Sequence, residues 1–318
     1  MRIRLITPAA RGSRSGNRAT AERWASFLRA GGHRVDIAVD YGGEPADAMI
    51  ALHAWRSAAA AERFRQQYPD RPLVVALTGT DLYRFQHSDP APTHRTMALA
   101  DRLVGLHEAV ADDVPERFRD RLVVIIQSAT PPPGPRRPVR GELRALVVGH
   151  LREEKDPFVP ARAAGLLPAD SRLAIHHYGR APEPEWARAA AAEMAASPRY
   201  HWHGEVPRWR VRRALGRAHL LIHPSLMEGG ANAVGEAIAA GMPVLASAIP
   251  GNIGLLGRDY PGTFPPGDTQ ALAALLQRFE NDPRCAEALA RRCAERAPLF
   301  APEREAAAWR RLVSDLTA

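Results

Sequence analysis

HPSLMEGGANAVGEAIAAGMPVLAS, His223–Ser247, is the stretch of sequence that decides the fold. The apolar run Leu220–His223 predicts a strand, and Pro224 ends that strand at a glycine-rich turn. Small residues then predict a helix from about Ala231 to Ala240, which stops at Gly241 before another apolar strand. This order of strand, turn, helix and strand is typical of a parallel α/β sheet, whose ligands lie beyond the carboxyl ends of the strands.

The turn and the helix start of this segment suit a diphosphate. Glycine lets the backbone approach a ligand closely, and the free amides and dipole of a helix start attract phosphate. We therefore expect donor contacts from Gly229, Gly230, Ala231 and Asn232. Glu228 and Glu236, with seven residues between them, could accept hydrogen bonds from the hydroxyls of a sugar and a ribose. The alternative is an ordinary strand, loop and helix with two surface glutamates.

A second segment, ALVVGHLREEKDPF at Ala145–Phe158, predicts another strand that ends at Gly149 and runs into a charged turn. The turn contains His150, Arg152 and Lys155, and Lys155 is the only lysine among 43 basic residues. A lone ammonium in a chain that otherwise uses arginine suggests point-charge contact with a phosphate. The alternative is a solvated charged loop.

Strands and helices alternate outward from these two segments, which predicts two doubly wound, Rossmann-like lobes that face each other across a cleft. The first lobe has strand candidates Ile3–Ile6, Val35–Val39, Met49–His53, Leu73–Leu77, Arg102–Leu106 and Leu122–Ile126. The second has Ala145–Val148, Leu173–His177, Tyr200–His203, Leu220–His223 and Val244–Ala246. We place the lobes at 1–130 and 143–300, a proline-rich linker at 131–142, and a C-terminal helix at 301–318 that packs back on the first lobe.

Polar residues follow two strands of the first lobe. After the first strand, a segment rich in serine, glycine and arginine opens a helix and resembles an anion nest. We expect an acceptor to be bound by Ser13, Ser15, Gly16, Asn17 and Arg18, and also by Thr78, Thr80 and Asp81 after the strand Leu73–Leu77. A capped helix start with surface arginines and an ordinary polar loop end are the alternatives.

Composition narrows the function classes. The net charge of +8 is spread along helices without an aromatic-interleaved stripe, so we expect no nucleic-acid partner. No apolar stretch is long enough to span a bilayer, and the first residues predict a strand, so we expect a cytoplasmic protein without a membrane partner. The histidines with face-sharing spacing have no carboxylate or cysteine partner nearby, and no D-x-D pair occurs, so no metal or other cofactor is expected. These histidines are His201 with His203 and His219 with His223. A departing diphosphate would then be neutralised by Arg152, Lys155 and backbone amides.

Glu228 and Glu236, together with the strand that leads into Lys155, resemble the retaining GT-B glycosyltransferases related to glycogen synthase. The resemblance covers nearly the whole chain and is most specific from Gly149 to Ser247. It implies that Lys155 contacts the donor diphosphate, Glu228 the donor sugar and Glu236 the ribose. Two departures are His150, where the family usually has arginine, and Thr78, where it usually has histidine. The first suggests that Arg152 takes over a charge, and the second suggests an unusual acceptor.

GSRSGNRATAERW, VVALTGTDLYR and VVGHLREEKDPF are more closely similar to the selenosugar synthases of selenoneine biosynthesis. This resemblance implies a UDP-sugar donor such as UDP-N-acetylglucosamine, selenophosphate as acceptor, and functional links to selenophosphate synthetase and the downstream selenoneine enzyme. A selenium anion needs no general base, which fits Thr78. The alternatives are a retaining glycosyltransferase acting on a hydroxyl, a non-catalytic nucleotide-sugar-binding protein, and a nucleic-acid-binding protein.

Overall fold

The computed structural model describes residues 1–132 and 134–316. The chain divides into two compact units. The first contains Met1–Ser128, Glu228–Gly230 and Pro302–Ala318, and the second contains Ala129–Met227 and Ala231–Ala301. Pro133, in the expected linker, and Thr317 and Ala318, in the expected C-terminal helix, lie outside the described residues.

Each unit is built on one six-stranded sheet in which every printed strand pair is parallel. The first sheet has the order β2-β1-β3-β4-β5-β6 and consists of β1 (Arg2–Ile6), β2 (Arg34–Ala38), β3 (Ala48–Leu52), β4 (Leu73–Ala76), β5 (Arg102–Gly105) and β6 (Leu122–Val124). The second has the order β12-β11-β10-β7-β8-β9 and consists of β7 (Leu143–Val148), β8 (Leu173–Tyr178), β9 (Tyr200–Trp202), β10 (Leu220–His223), β11 (Val244–Ser247) and β12 (Thr263–Phe264).

Helices connect these strands. They are α1 (Gly16–Ala30), α2 (Ala58–Gln67), α3 (Gln86–Ser88), α4 (Pro90–Leu99), α5 (Val159–Gly165), α6 (Pro184–Ala196), α7 (Arg208–Leu215), α8 (Asn232–Ala239), α9 (Pro250–Leu256), α10 (Thr269–Asn281), α11 (Pro283–Arg296) and α12 (Pro302–Asp315). A π-helical segment, Asp81–Phe85, follows β4. None of the described helices combines the length and the apolar character that a membrane crossing requires.

The core of the first unit includes an aromatic contact between its first and last helices. Trp24 of α1 and Trp309 of α12 are fully buried, and their ring centroids are 4.5 Å apart. Glu305 is also buried, and it accepts hydrogen bonds from Nε1 of Trp24 at 2.7 Å and from the amide of Ser128 at 2.7 Å. The C-terminal helix therefore belongs to the first unit although most of the intervening chain forms the second.

The predicted α/β fold with two parallel sheets is confirmed. All eleven strand candidates overlap observed strands. The sequence missed β12, because a two-residue strand is too short to show a pattern. The described part of 131–142 has no helix or strand, and backbone hydrogen bonds from Arg137 to Gly216 and from Val139 to Arg217 attach it to the second unit.

Candidate functional site

The loop after β7 brings Lys155 against the end of its own strand. A short 3-10 helix, Glu153–Lys155, folds back so that the amide of Lys155 donates to the carbonyl of Arg152 at 3.0 Å. The Cδ atom of Lys155 lies 3.9 Å from the position of a Cβ on Gly149. Asp156, directly after this 3-10 helix, has a left-handed backbone, with φ of 42°. The lone lysine is therefore held beside the carboxyl end of β7.

A small recess joins this loop to two neighbouring strands. Gly149 and Lys155 line it together with His177 of β8, His223 of β10 and Ser225. In addition, the amide of Leu226 donates to the carbonyl of Glu154 at 2.9 Å, which fastens the loop after β10 to the loop after β7. The two segments that the sequence singled out therefore meet at one edge of the second sheet.

His150 and Arg152 differ in their surroundings. The Nδ1 atom of His150 accepts a hydrogen bond from the amide of Arg180 at 3.0 Å. Burial and, after it, the charge of Arg152 lower the pKa of His150, so this side chain is neutral at pH 7. Arg152 remains 42% exposed, and its Nη1 lies 3.8 Å from a carboxylate oxygen of Glu154. Arg152 is thus accessible to a ligand, whereas His150 supports the loop.

The start of α8 lies close to Glu236 in the chain. The helix begins at Asn232, and Ala231 at the N-cap position makes no side-chain capping bond. Glu236 lies one turn further on, and Nη2 of Arg208 approaches its Oε1 to 3.1 Å. The side chain of Glu236 is 18% exposed and that of Arg208 is 66% exposed. Sequence reasoning missed Arg208, although the arginine-rich α7 was a visible signal.

In the first unit, Asp81 differs from its expected orientation. We expected its carboxylate to face an acceptor, but the side chain is fully buried. It accepts hydrogen bonds from the amides of Ala54 at 2.9 Å, Thr78 at 3.0 Å and Gly79 at 2.7 Å. These amides attract the carboxylate inward, so any contribution of Asp81 to acceptor binding would act through the loop it holds.

A buried histidine that the sequence did not single out contacts the same loop. His53 follows β3 with φ of 76°, and its Nε2 lies 2.8 Å from the hydroxyl oxygen of Thr80. Burial lowers the pKa of His53. The position was visible only as the last residue of a predicted strand. The hydroxyl of Thr80 is therefore oriented by His53, while Thr78 stays half-buried beside it.

Glu228–Gly230 pack within the first unit. A Cβ on Gly229 would lie 2.4 Å from the carbonyl carbon of Thr78, so only glycine permits this approach. Gly79 takes φ of 129°, which also favours glycine. Glu228 is almost fully buried at this point. The predicted sugar-binding glutamate and the predicted acceptor loop are therefore brought together.

The other acceptor candidates surround the start of α1. The hydroxyl of Ser15 caps the helix by accepting from the amide of Arg18 at 3.3 Å, and the hydroxyl of Ser13 accepts from the amide of Ser15 at 3.2 Å. Gly16 is the first helical residue and Asn17 is half-buried. Arg18 is buried and pairs with Glu22 at 2.7 Å, so its charge is balanced within the helix. The exposed arginines of this segment are instead Arg11 and Arg14.

No cluster of three or more His, Cys, Asp or Glu side chains suited to a metal ion occurs in residues 1–132 and 134–316. The expected independence of metal stays a prediction. The same holds for the donor and acceptor roles of the residues above, for which the structure gives positions without a ligand.

Three comparisons place the chain among known proteins. The family model described as Glycosyl transferases group 1 matches residues 136–300, just over half of the chain. A putative teichuronic acid biosynthesis glycosyltransferase, TuaC of Bacillus subtilis, is 35% identical over 79 residues, which are 25% of this chain and 20% of that protein.

Solved structures match over the whole length. Sucrose-phosphate synthase from Thermosynechococcus elongatus has a TM-score of 0.82 at 19% identity and covers 99% of each chain. HepE of Anabaena, solved with UDP-glucose, has a TM-score of 0.78 at 15% identity, over 99% of this chain and all of its own. The fold is the GT-B architecture of these structures.

Proposed function

The chain belongs to the group 1 glycosyl transferases, and on that premise we propose that it transfers a sugar from a UDP-sugar to selenophosphate. The donor sugar in this proposal is N-acetylglucosamine, and the product is a 1-selenosugar that enters selenoneine biosynthesis. The observation that carries the donor half is the position of Lys155 against Gly149, in the recess shared with Ser225.

A diphosphate at this edge of the second sheet would have suitable partners. The ammonium of Lys155 and the guanidinium of Arg152 supply positive charge, and the dipole at the start of α8 favours an anion. Glu236 supplies an acceptor for the hydroxyls of a ribose once Arg208 yields one carboxylate oxygen. HepE was solved with UDP and with UDP-glucose, which supports a uridine nucleotide in a fold of this kind.

The proposed acceptor rests on the loop after β4. The two ionisable side chains that hold this loop, His53 and Asp81, are both buried, and neither presents a base to solvent. An acceptor hydroxyl would have to lose a proton during transfer. The selenium atom of selenophosphate is already anionic, so it needs no base at Thr78. Arg11 and Arg14 add positive charge in the first unit for an anionic acceptor.

The proposed step is balanced in atoms and charge. The bond between C1 of the sugar and the phosphate oxygen breaks, and UDP leaves with the electron pair. Lys155, Arg152 and the amides stabilise that negative charge. A lone pair of selenium forms the new bond to C1. Water then cleaves the Se–P bond, which gives phosphate and the selenosugar.

The test is to incubate the protein with several UDP-sugars and with selenophosphate under reducing, anaerobic conditions. UDP release and the mass spectrum of the products are measured together. We expect UDP release that depends on selenophosphate and a product whose mass shows one sugar and the isotope pattern of selenium.

Other outcomes decide against the proposal. UDP release with sugar or lipid alcohols, without selenium in any product, would assign the chain a hydroxyl acceptor. Tight UDP binding without release by any acceptor would indicate a nucleotide-sugar-binding protein. Retention of DNA or RNA that falls steeply with salt would point to a nucleic-acid partner instead.

A further inference from the structure

His177 of β8 is a buried histidine for which the proposed chemistry has no use. Its side chain is 1% exposed. The Nε2 atom lies 2.9 Å from the carbonyl oxygen of Gly149, and the Nδ1 atom lies 2.8 Å from the hydroxyl oxygen of Tyr200. This ring therefore connects β9 to the first residue of the Gly149–Lys155 loop.

The two partners determine which ring nitrogen carries the proton. A carbonyl oxygen can only accept, so Nε2 must carry a hydrogen and donate it to Gly149. In the neutral ring Nδ1 is then an acceptor, and it receives the hydroxyl hydrogen of Tyr200. Burial lowers the pKa of His177 to about 4, so the neutral ring is the form present at pH 7. The carbonyl of Gly149 thus fixes the tautomer, and the hydroxyl of Tyr200 satisfies the other ring nitrogen.

The bond to Gly149 fixes the direction of the next amide. In a trans peptide the carbonyl and the following N–H point in opposite directions. The carbonyl of Gly149 is directed to His177, so the N–H of His150 is directed away from His177. Gly149 is also fixed from its other side, because its own amide donates to the carbonyl of Tyr178 at 3.0 Å. The peptide between Gly149 and His150 therefore has one defined orientation.

Gly179 shows how closely this peptide is packed. A Cβ built on Gly179 would lie 1.7 Å from the carbonyl oxygen of Gly149 and 2.9 Å from the nitrogen of His150. Any other residue at this position would displace the peptide or push the carbonyl off His177. His177 thus supplies the donor that orients the peptide, and Gly179, which has no side chain, leaves the space that the peptide occupies.

The geometry points to His177 as a positioning residue: through Nε2–H it holds the Gly149 carbonyl and so aims the amide of His150 at the diphosphate of the donor. The bond that Tyr200 donates to Nδ1 is part of the same arrangement. This inference rests on the proposed function, because it concerns the site at which the donor binds. It adds a buried residue of β8 to a site otherwise formed by loops and a helix start.

The first measurement needs no activity. In protein labelled with 15N-histidine, long-range 1H–15N spectra report which ring nitrogen of His177 is protonated. We expect the Nε2–H tautomer from pH 7 down to pH 5 in the wild type and also in Tyr200→Phe, because the carbonyl of Gly149 accepts from Nε2 in both. An Nδ1–H tautomer, or a ring that titrates above pH 6, would overturn the inference whatever the function.

The second measurement is UDP affinity by calorimetry, with KM and kcat for the UDP-sugar. Loss of one orienting hydrogen bond is worth about tenfold in affinity. We expect His177→Leu to raise the Kd of UDP and the KM about tenfold with kcat within about twofold, since the contact is made throughout the reaction. His177→Gln places an amide N–H near the position of Nε2 and should restore most of the affinity.

The matched control is His107→Leu in the first unit. His107 is also fully buried and bonded to a tyrosine, with 2.8 Å between its Nε2 and the hydroxyl oxygen of Tyr83. The control should lose stability but leave the UDP Kd within about twofold. If His177→Leu does not fold, Tyr200→Phe keeps the ring volume and should weaken UDP binding about threefold.

Two failures are distinguishable. Unchanged UDP binding in His177→Leu and Tyr200→Phe, beside a wild type that binds UDP, would overturn the inference and leave the proposed function intact. A wild type that binds no UDP would contradict the proposed function, while the tautomer measurement would still report on the geometry of His177.

Discussion

At the scale of single residues, Lys155 has the largest role in the proposed chemistry. It is half-buried beside Gly149, where its charge can be applied to a leaving diphosphate. We expect Lys155→Ala to lower turnover by roughly two to three powers of ten with the fold intact, because a key charge contact in the transition state is lost. Steady-state kinetics measure the turnover, and a melting curve measures the stability of the fold. Arg172→Ala is the control, since Arg172 is 65% exposed beside Glu280, and near-normal turnover in Lys155→Ala would remove the lysine from the mechanism.

For Asp81, the sequence indicated a polar role for the carboxylate but not the direction in which the carboxylate points. Its carboxylate oxygens accept from the amides of Ala54, Thr78 and Gly79, so Asp81→Asn would replace one of these oxygens by an NH2 group that faces N–H donors. We expect a loss of about 3 kcal/mol in the free energy of unfolding. Urea denaturation measures it. Asp89→Asn, an exposed partner of Trp55, should cost about 1 kcal/mol or less. Equal costs would mean that Asp81 does not organise the loop.

At the scale of elements, α12 is attached through one buried carboxylate. Glu305 accepts from Trp24, from both the amide and the hydroxyl of Ser128, and lies 3.0 Å from Nε of Arg23. Glu305→Gln removes the charge and replaces one acceptor oxygen by an NH2 donor. We therefore expect a loss of about 3 kcal/mol in the free energy of unfolding. Melting curves compare it with Glu303→Gln, an exposed neighbour that should be neutral. A neutral result for Glu305→Gln would show that the tryptophan contact alone holds α12.

Helices and strands can be predicted where a local sequence pattern determines them. β-Branched runs located both sheets, and the helix start at Ser15 follows from its hydroxyl cap. The turn from Gly149 to Lys155 and the glycines before α8 were found by composition alone. Long-range pairing was invisible: nothing in the sequence near His53 indicates Thr80, and nothing near Glu236 indicates Arg208. His53 and Thr80 lie 27 residues apart and meet because β3 and β4 are parallel and adjacent. Arg208 and Glu236 lie 28 residues apart and meet between α7 and α8.

At the scale of the whole molecule, buried histidines make stability depend on pH. Burial lowers the pKa of His107 and of His177 to about 4, below the ordinary value of 6.5. Between these values the unfolded chain binds protons that the folded chain does not, so stability is full above pH 6.5 and falls as the pH drops toward 4. Each group contributes a slope of up to about 1.4 kcal/mol per pH unit.

Urea denaturation at pH 7.5, 6 and 5 checks this expectation. The free energy of unfolding should decrease with acid in the wild type and decrease less steeply in His107→Gln and in His177→Gln. A pH profile that neither substitution flattens would mean that other groups govern the acid sensitivity.

The single lysine beside Gly149 has a practical consequence. Amine-reactive acylating reagents have only two targets in this chain, the N-terminal amine and the ε-amine of Lys155. A mass tag added at alkaline pH, and assigned to one of the two amines by peptide mapping, would therefore report on the loop after β7. Protection from acylation by increasing UDP would titrate occupancy of that loop without any assay of turnover.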